Sequence, residues 1–393
     1  MKIAVKYILF ALLISLNLAY SQKKKFDFSP VDAIIENAIR AHDFPSAVLV
    51  VGDSNDVIYQ NSYGRLTYED DAKPTTMSTI YDLASVTKVI ATTSAIMRLY
   101  DEGKIDLDAP VAKYIPQFAV NDKGDITVRN LLLHNSGLPA WTPFYQLYTT
   151  ADEVRNAIYS CEKEYPTGTK TVYSDYNAVI LGDLVKVISN VRLDLYSKEF
   201  VFLPLGMMDT GYLLPTSLDY RIAPTEYDTY WRNELLKGYV HDETAAMLEG
   251  VSGNAGLFST GPDLYKFMKM MLKDGRYIDE RKMPAKTIES QLFTPQTVGL
   301  FTTKATGLGY DNTRALGWDT KPEATKYPPQ CGNKFSQNCF GHTGYTGTSV
   351  WCDRDKNLII IFLTNRIYPK RGNEEIKNIR PEVYDKVCEI LGY

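Results

Sequence analysis

Ser85 and Lys88 stand three residues apart in Ser85-Val86-Thr87-Lys88, a spacing that puts a hydroxyl and an amine on one face of a helix. An amine in that position can take the proton of a hydroxyl that is otherwise too weak a nucleophile to attack an ester or amide carbonyl. The same spacing recurs at Ser21 to Lys24 and at Ser160 to Lys163. The first of these closes an N-terminal targeting segment. The second falls at the polar end of a helix, ahead of Pro166 and Gly168. Only Ser85 opens a long apolar run, through Val89, Ile90, Ala95, Ile96 and Leu99 to a stop at Gly103. A helix apolar nearly all round is buried, and unpaired polar groups at its start would be costly.

Such a pair needs a second proton-handling group, donors for an oxyanion and a hold on the substrate. Two later stretches offer them: Tyr173-Ser174-Asp175-Tyr176-Asn177 and His342-Thr343-Gly344-Tyr345-Thr346-Gly347. The elements that must bring these together read as follows. Residues 30–42 form a helix, 47–51 and 57–62 two strands, and 85–100 the buried helix. A helix-rich, aromatic-rich stretch runs to about residue 290. Strand patterns return at 316–320, 347–353 and 357–364, and a helix closes the chain from about 375 to 391. Strands at both ends and helices between them predict an α+β fold, with an antiparallel sheet built from both termini, flanked by helices, and an inserted helical lobe.

In order and type, Ser85-x-x-Lys88, the Tyr173 element and the His342 element resemble the motifs of the penicillin-recognising serine hydrolases. The resemblance is to the branch holding class C β-lactamases, D-alanyl-D-alanine carboxypeptidases and β-lactamase-like esterases. It extends to Leu131-Leu132-Leu133-His134-Asn135-Ser136-Gly137, Pro204-Leu205-Gly206-Met207 and Gly256-Leu257-Phe258-Ser259-Thr260. It implies a β-lactamase/transpeptidase-like domain over residues 26–393, with an α/β lobe at about 26–100 and 291–393 and a helical lobe at about 101–290. It also implies Ser85 as nucleophile, Lys88 as its activating neighbour and Tyr173 as general base and acid. The N–H groups of Ser85 and Tyr345 become the oxyanion donors, and His342, Thr343 and Gly344 face the carboxylate side of the substrate. Lys88, buried near Tyr173, is expected to have a lowered pKa.

Two residues depart from the family pattern. Asp175 stands where asparagine is usual, and an ionised carboxylate accepts but cannot donate; it can instead pair with Lys88. His342 stands where lysine is common, and imidazole is mostly neutral at pH 7. Both lower the positive potential expected to face a substrate carboxylate. His134 reads as structural. His241 with Asp242 reads equally as a buried pair or as cleft rim, and Trp141, Phe144, Tyr145, Tyr148, Tyr230 and Trp231 read as core packing ahead of a ligand groove.

With 393 residues, 45% of them hydrophobic, the chain can bury a large core. Residues 1–21 read as a signal peptide, with Lys2 and Lys6 before an apolar stretch at 7–18. That stretch is shorter than the roughly 20 residues of a membrane-spanning helix, although left uncleaved it would tether the chain to a membrane. Removing it takes two lysines and no acids, so the formal charge of -4 becomes -6. No basic cluster follows Lys25, which excludes nucleic acid as an expected partner. The five cysteines leave one unpaired, with Cys331 and Cys339 the expected disulfide. No metal-ligand spacing occurs, and no cofactor is implied. The expected protein is thus an exported serine hydrolase, periplasmic or extracellular, acting on a D-alanyl cell-wall peptide or a small ester. A true β-lactamase and a penicillin-binding sensor without turnover are the alternatives.

Overall fold

Strands from the two ends of the chain lie side by side in one sheet. The computed structural model describes residues 26–279, 289–307, 313–323 and 328–393, so the expected signal peptide at 1–21 lies outside the described residues. Six strands form the sheet: β1 (Ser46–Gly52), β2 (Val57–Gly64), β3 (Asp319–Thr320), β4 (Cys339–Thr343), β5 (Ser349–Asp353) and β6 (Leu358–Thr364). Their order is β2-β1-β6-β5-β4-β3, and every neighbour is antiparallel. The registers Leu49↔Phe362 and Val50↔Ile361 tie the N-terminal hairpin to the C-terminal strands.

Central strands β1 and β6 are buried along their whole length, which is why they read as unbroken apolar runs. Alternate side chains still part to opposite faces. Ala47, Leu49, Val51, Ile360 and Phe362 pack beneath helices α1 (Ser29–Arg40) and α5 (Ile376–Leu391). Val48, Val50, Ile359, Ile361 and Leu363 join the larger core on the other face. There the helix α4 (Gly261–Leu272) lies on the sheet, with the helical segments α2 (Ser94–Asp101) and α3 (Asp175–Ser189) beyond it. Each fully buried aliphatic side chain of this kind contributes about 1.5–3 kcal/mol. The α+β arrangement and the inserted helices match the expectation.

Three local differences have physical causes. The expected strand at 316–320 shrinks to β3, because Ala315 and Trp318 close a tight turn around Gly317, whose φ is 83°. Strand β4 is one that the sequence reading did not set out as an element: its five residues include Gly341, where any β-carbon would strike Trp351 of β5. The expected Cys331–Cys339 disulfide is absent, and both thiols are free and buried. They do meet. A hydrogen bond to Cys339, then burial, push the Cys331 thiol up, so the thiolate that disulfide exchange requires is disfavoured. Cys352 in β5 and Cys388 in α5 are also buried free thiols.

Candidate active site

The buried helix carrying Ser85 and Lys88 is not a regular one. Ala84–Val86 is a single 3-10 turn, Lys88–Thr93 is a π-helical stretch, and only from Ser94 does α2 begin. A 3-10 turn eclipses residues three apart, and π-turns concentrate at functional sites. Ser85 and Lys88 are thereby stacked, and the Lys88 Nζ donates to Ser85 Oγ at 3.0 Å. Ala84, just before the nucleophile, has φ 46°, a left-handed conformation that costs a non-glycine residue energy. The buried Asp82 carboxylate holds it there by accepting the Ala84 N–H at 2.8 Å. Tyr81–Asp82 also pairs with Phe258–Ser259. That pairing delivers Asn254, whose carbonyl accepts from Lys88 Nζ at 2.9 Å.

Tyr173 and Asp175 arrive at the N-terminus of α3, whose buried Val179, Ile180 and Leu181 anchor it in the large core. His134 fixes the entry to this helix. Its Nδ1 accepts from the Ser174 N–H at 3.2 Å and lies 3.1 Å from the Asn177 amide, and its ring lies 4.8 Å from the Tyr173 ring. His134 is therefore structural, as expected. Asp175 Oδ1 pairs with Lys88 Nζ at 2.7 Å. The Tyr173 hydroxyl is enclosed with no hydrogen bond made to it and faces both Ser85 and Lys88.

The third strand of the site is β4 with the turn after it. Thr346 Oγ1 donates to the Asp82 carbonyl at 2.7 Å and Thr348 Oγ1 to the Leu83 carbonyl at 3.0 Å, which pins the turn against the residues leading into Ser85. Gly344 makes that approach feasible, since a β-carbon there would overlap Leu83 O and Thr348 Oγ1. Gly344→Ala is expected to push the strand end off the nucleophile and to destabilise by about 1–3 kcal/mol through overpacking. Thermal melts and kcat/KM measured together check this: both should fall. The Tyr345 N–H, on the same turn, donates to no other group among the described residues, which suits it to meet an oxyanion.

The electrostatics differ from expectation at Lys88. Burial pushes Lys88 down, but the Asp175 carboxylate, then Tyr173, more than offset it and hold the ammonium above its ordinary value. The expectation of a lowered Lys88 is thus overturned, because the residue that departs from the family pattern is its ion-pair partner. Tyr173 is raised by burial, partly countered by Lys88, so the phenol keeps its proton. His342 is driven down to about 4 by burial, with Asp319 opposing. Its Nδ1 lies 2.8 Å from the Thr343 carbonyl, and its Nε2 is enclosed with no hydrogen-bond partner among the described residues.

His134, too, is held well below its ordinary value by burial. The unfolded chain therefore binds more protons than the folded one between pH 6.5 and about 4. The stability that both rings contribute is complete above pH 6.5 and is lost as pH falls. His342 alone should withdraw on the order of 3 kcal/mol by pH 4. Melting temperatures recorded from pH 7 to 4 should fall more steeply in the wild type than in His342→Gln; equal slopes would contradict the assignment of a neutral buried ring.

Two cavities open on either side of a shared wall of Ser85, Tyr173 and Tyr345. The larger, about 440 Å³, holds His342 and Thr343 together with Arg314, Arg366, Arg380 and Lys377, against the single acid Asp319. Arg380 is almost fully buried, and its Nε has no hydrogen-bond partner among the described residues. The smaller, about 320 Å³, is lined by Trp141, Asp175, His241, Asp242, Glu243 and Arg371. Every site residue expected from the sequence is gathered here. The arginines of the larger cavity were missed; they add positive charge beside His342, part of it matched by Asp319 and Glu374. They come from α5 and from segments around 314 and 366, and no local spacing marks them. Of the aromatics, Phe144 and Tyr148 do pack on the core, but Trp141 and Tyr230 are 46% and 43% exposed at the rim. His241 bonds the buried Glu226 at 2.8 Å and also lines the smaller cavity. Among the described residues no cluster suited to a metal ion occurs.

With a hydroxyl, an ammonium, a phenol and a free strand amide at one junction, the site can form and resolve a covalent ester on Ser85. The chain's likenesses agree with that geometry. The beta-lactamase family matches residues 31–383. An Escherichia coli K12 protein named as a D-alanyl-D-alanine carboxypeptidase is 34% identical over 361 residues, 82% of this chain and 79% of that protein. A Bacillus subtilis protein named N-acetylmuramyl-L-alanine amidase is 34% identical over 387 residues, 89% of this chain and 83% of that protein. A solved penicillin-binding protein homologue from Caulobacter crescentus superposes with a TM-score of 0.70 at 20% identity, covering 91% of this chain and 97% of that one.

Proposed function

This chain belongs to the beta-lactamase family, and from that premise we propose that it is an exported serine hydrolase that removes the terminal residue of D-alanyl cell-wall peptides through a Ser85 acyl-enzyme. The observation that carries the reading is the placing of Ser85 Oγ, 3.0 Å from Lys88 Nζ, at the mouth of a cavity rich in arginine. The cationic cavity suits a leaving group that ends in a carboxylate, with Arg380 Nε a buried donor still short of an acceptor. Arg314 is already paired with Asp319 and Arg366 with Glu374, so it is Arg380 Nε that a terminal carboxylate would satisfy and a neutral ester would not, which favours the peptide over the ester.

In the reading, the Lys88–Tyr173 pair first releases one proton to solvent, and Ser85 then attacks the scissile carbonyl while its own proton passes to that pair. The Ser85 and Tyr345 N–H groups hold the oxyanion. Tyr173 then returns a proton to the departing amine, and water releases the acyl group. No metal or cofactor enters any step. Export is supported by the basic-then-apolar start of the sequence and by relatives whose names refer to cell-wall chemistry. No helix among the described residues is long and apolar enough to cross a membrane.

The test is intact-protein mass spectrometry after mixing with a penicillin, together with release of D-alanine from an acyl-D-alanyl-D-alanine peptide. Wild type should form a covalent adduct on Ser85 and release D-alanine, and Ser85→Ala should do neither. Full activity in Ser85→Ala would refute the proposal. Turnover of p-nitrophenyl esters without any peptide hydrolysis would move the substrate to esters.

A further inference from the structure

The two cavities beside Ser85 carry opposite charge. On the leaving-group side, Arg314, Arg366, Arg380 and Lys377 line the wall with Asp319, and Glu374 behind them pairs with Arg366 and Lys377, so the cations outnumber the acids. On the other side three carboxylates line the wall, Asp175, Asp242 and Glu243, and their pairing is uneven. Asp175 is matched by Lys88 at 2.7 Å. Glu243 is matched by Arg371 at 3.0 Å, and Arg371 is also bound by Glu226 at 2.7 Å. Among the described residues Asp242 has no cationic partner. Its Oδ1 accepts from the Ala245 N–H at 2.8 Å and from the Asn254 amide at 2.9 Å, both neutral donors. Among the described residues its Oδ2 makes no hydrogen bond. Beneath the wall the buried Asp82 carboxylate adds further negative charge; among the described residues it accepts from the N–H groups of Ala84 and His241 and pairs with no cation. Trp141, 46% exposed, lines the same cavity, and an indole face attracts a cation.

We propose that this second cavity takes a cationic group, an ammonium on the acyl portion of the substrate, with Asp242 as its counter-ion and specificity determinant. The inference rests on the function proposed above, which assigns the arginine-lined cavity to the leaving group and so leaves this one to the acyl group. The cleft then reads a substrate by its polarity: positive on the acyl side of the scissile bond, negative on the other. Burial, and then the neighbouring Asp175 carboxylate, push Asp242 up to about 6, as befits a carboxylate short of a positive partner. An arriving ammonium relieves that repulsion and forms a charge-assisted hydrogen bond in a partly desolvated wall, whereas a carboxylate arriving there would add to it.

The experiment compares three peptides of one backbone, Nα-acetyl-L-lysyl-D-alanyl-D-alanine with its ε-amine free, acetylated or succinylated. Wild-type kcat/KM should be about tenfold higher for the free amine than for the acetylated form, in line with a hydrogen bond between charged groups, and lowest for the succinylated one. Asp242→Asn keeps an acceptor for Ala245 and Asn254, and in it the free-to-acetylated ratio should fall towards one. The wild-type ratios need no variant, so a poorly folded Asp242→Asn does not shield the inference. Equal efficiency for all three in the wild type would overturn it and leave the Ser85 hydrolase standing. An unchanged ratio in folded Asp242→Asn would overturn the role of that residue. Failure of Ser85-dependent hydrolysis with all three would overturn the inference and the proposed function together.

Discussion

Lys88→Met is expected to lower kcat/KM by about 10²–10⁴-fold, the range for losing a positioned proton-transfer group, while Ser85 stays in place. Lys88 is the one hydrogen-bond partner of Ser85 Oγ among the described residues. It also ties three separate segments to one point: the Ser85 turn, the Asn254 carbonyl and Asp175 at the start of α3. Methionine matches the length of the stem but carries no charge. It leaves Asp175 with no cation at a site where its side chain is only 19% exposed. Removing one member of such a pair typically costs about 3–5 kcal/mol, so the single variant loses stability as well as rate. The double variant Lys88→Met with Asp175→Asn separates the two effects. Neutralising the orphaned carboxylate should recover much of the melting temperature and none of the activity. Recovery of activity in the double variant would show that Lys88 serves only to balance Asp175, and the proposed acylation chemistry would fall.

What the sequence made legible follows from what is local in it. Ser85 with Lys88, Tyr173 with Asp175, and His342 through Tyr345 are each a few residues long and each sits at the end of a regular element. Their spacing therefore carries the geometry. The sheet was legible for the same reason: β1 and β6 are long apolar runs bounded by turns. The charge of the cleft was not. Arg314, Arg366 and Arg380 look like ordinary surface arginines in the sequence, and only the closing of α5 and β4 around one cavity makes them a cluster. Asp242 is hidden in the same way, since its isolation depends on Arg371, more than a hundred residues later, being engaged by Glu226 and Glu243. Lys88 shows the sharper failure. Burial alone argues for a lowered pKa, and the sign reverses only when Asp175 is placed 2.7 Å away.

Asp175→Asn should move the rising limb of the kcat/KM–pH profile to lower pH and raise the rate at pH 7. In the wild type the Asp175 carboxylate raises both Lys88 and Tyr173, so the groups that must accept the Ser85 proton hold their own protons too firmly. Removing that charge lowers both. Each unit by which the accepting group falls gives about ten times more of its deprotonated form at a pH below both values, partly offset because a weaker base transfers less readily. An amide at this position can also donate to a substrate carbonyl, which the carboxylate cannot. Stability should move the other way. Lys88 is raised in the folded state, so the pair's contribution is complete below the unfolded lysine value and is lost only as pH rises through the folded one. The melting temperature of Asp175→Asn should therefore lie below the wild type at pH 7 and approach it only in strongly alkaline solution. A pH–rate profile for each enzyme on one acyl-D-alanyl-D-alanine peptide, with melts at the same pH values, decides the matter. If the limb stays in place, or moves upward, Asp175 does not set the proton affinity of the site. The activity would then have to be explained without the Lys88–Tyr173 pair as the proton acceptor.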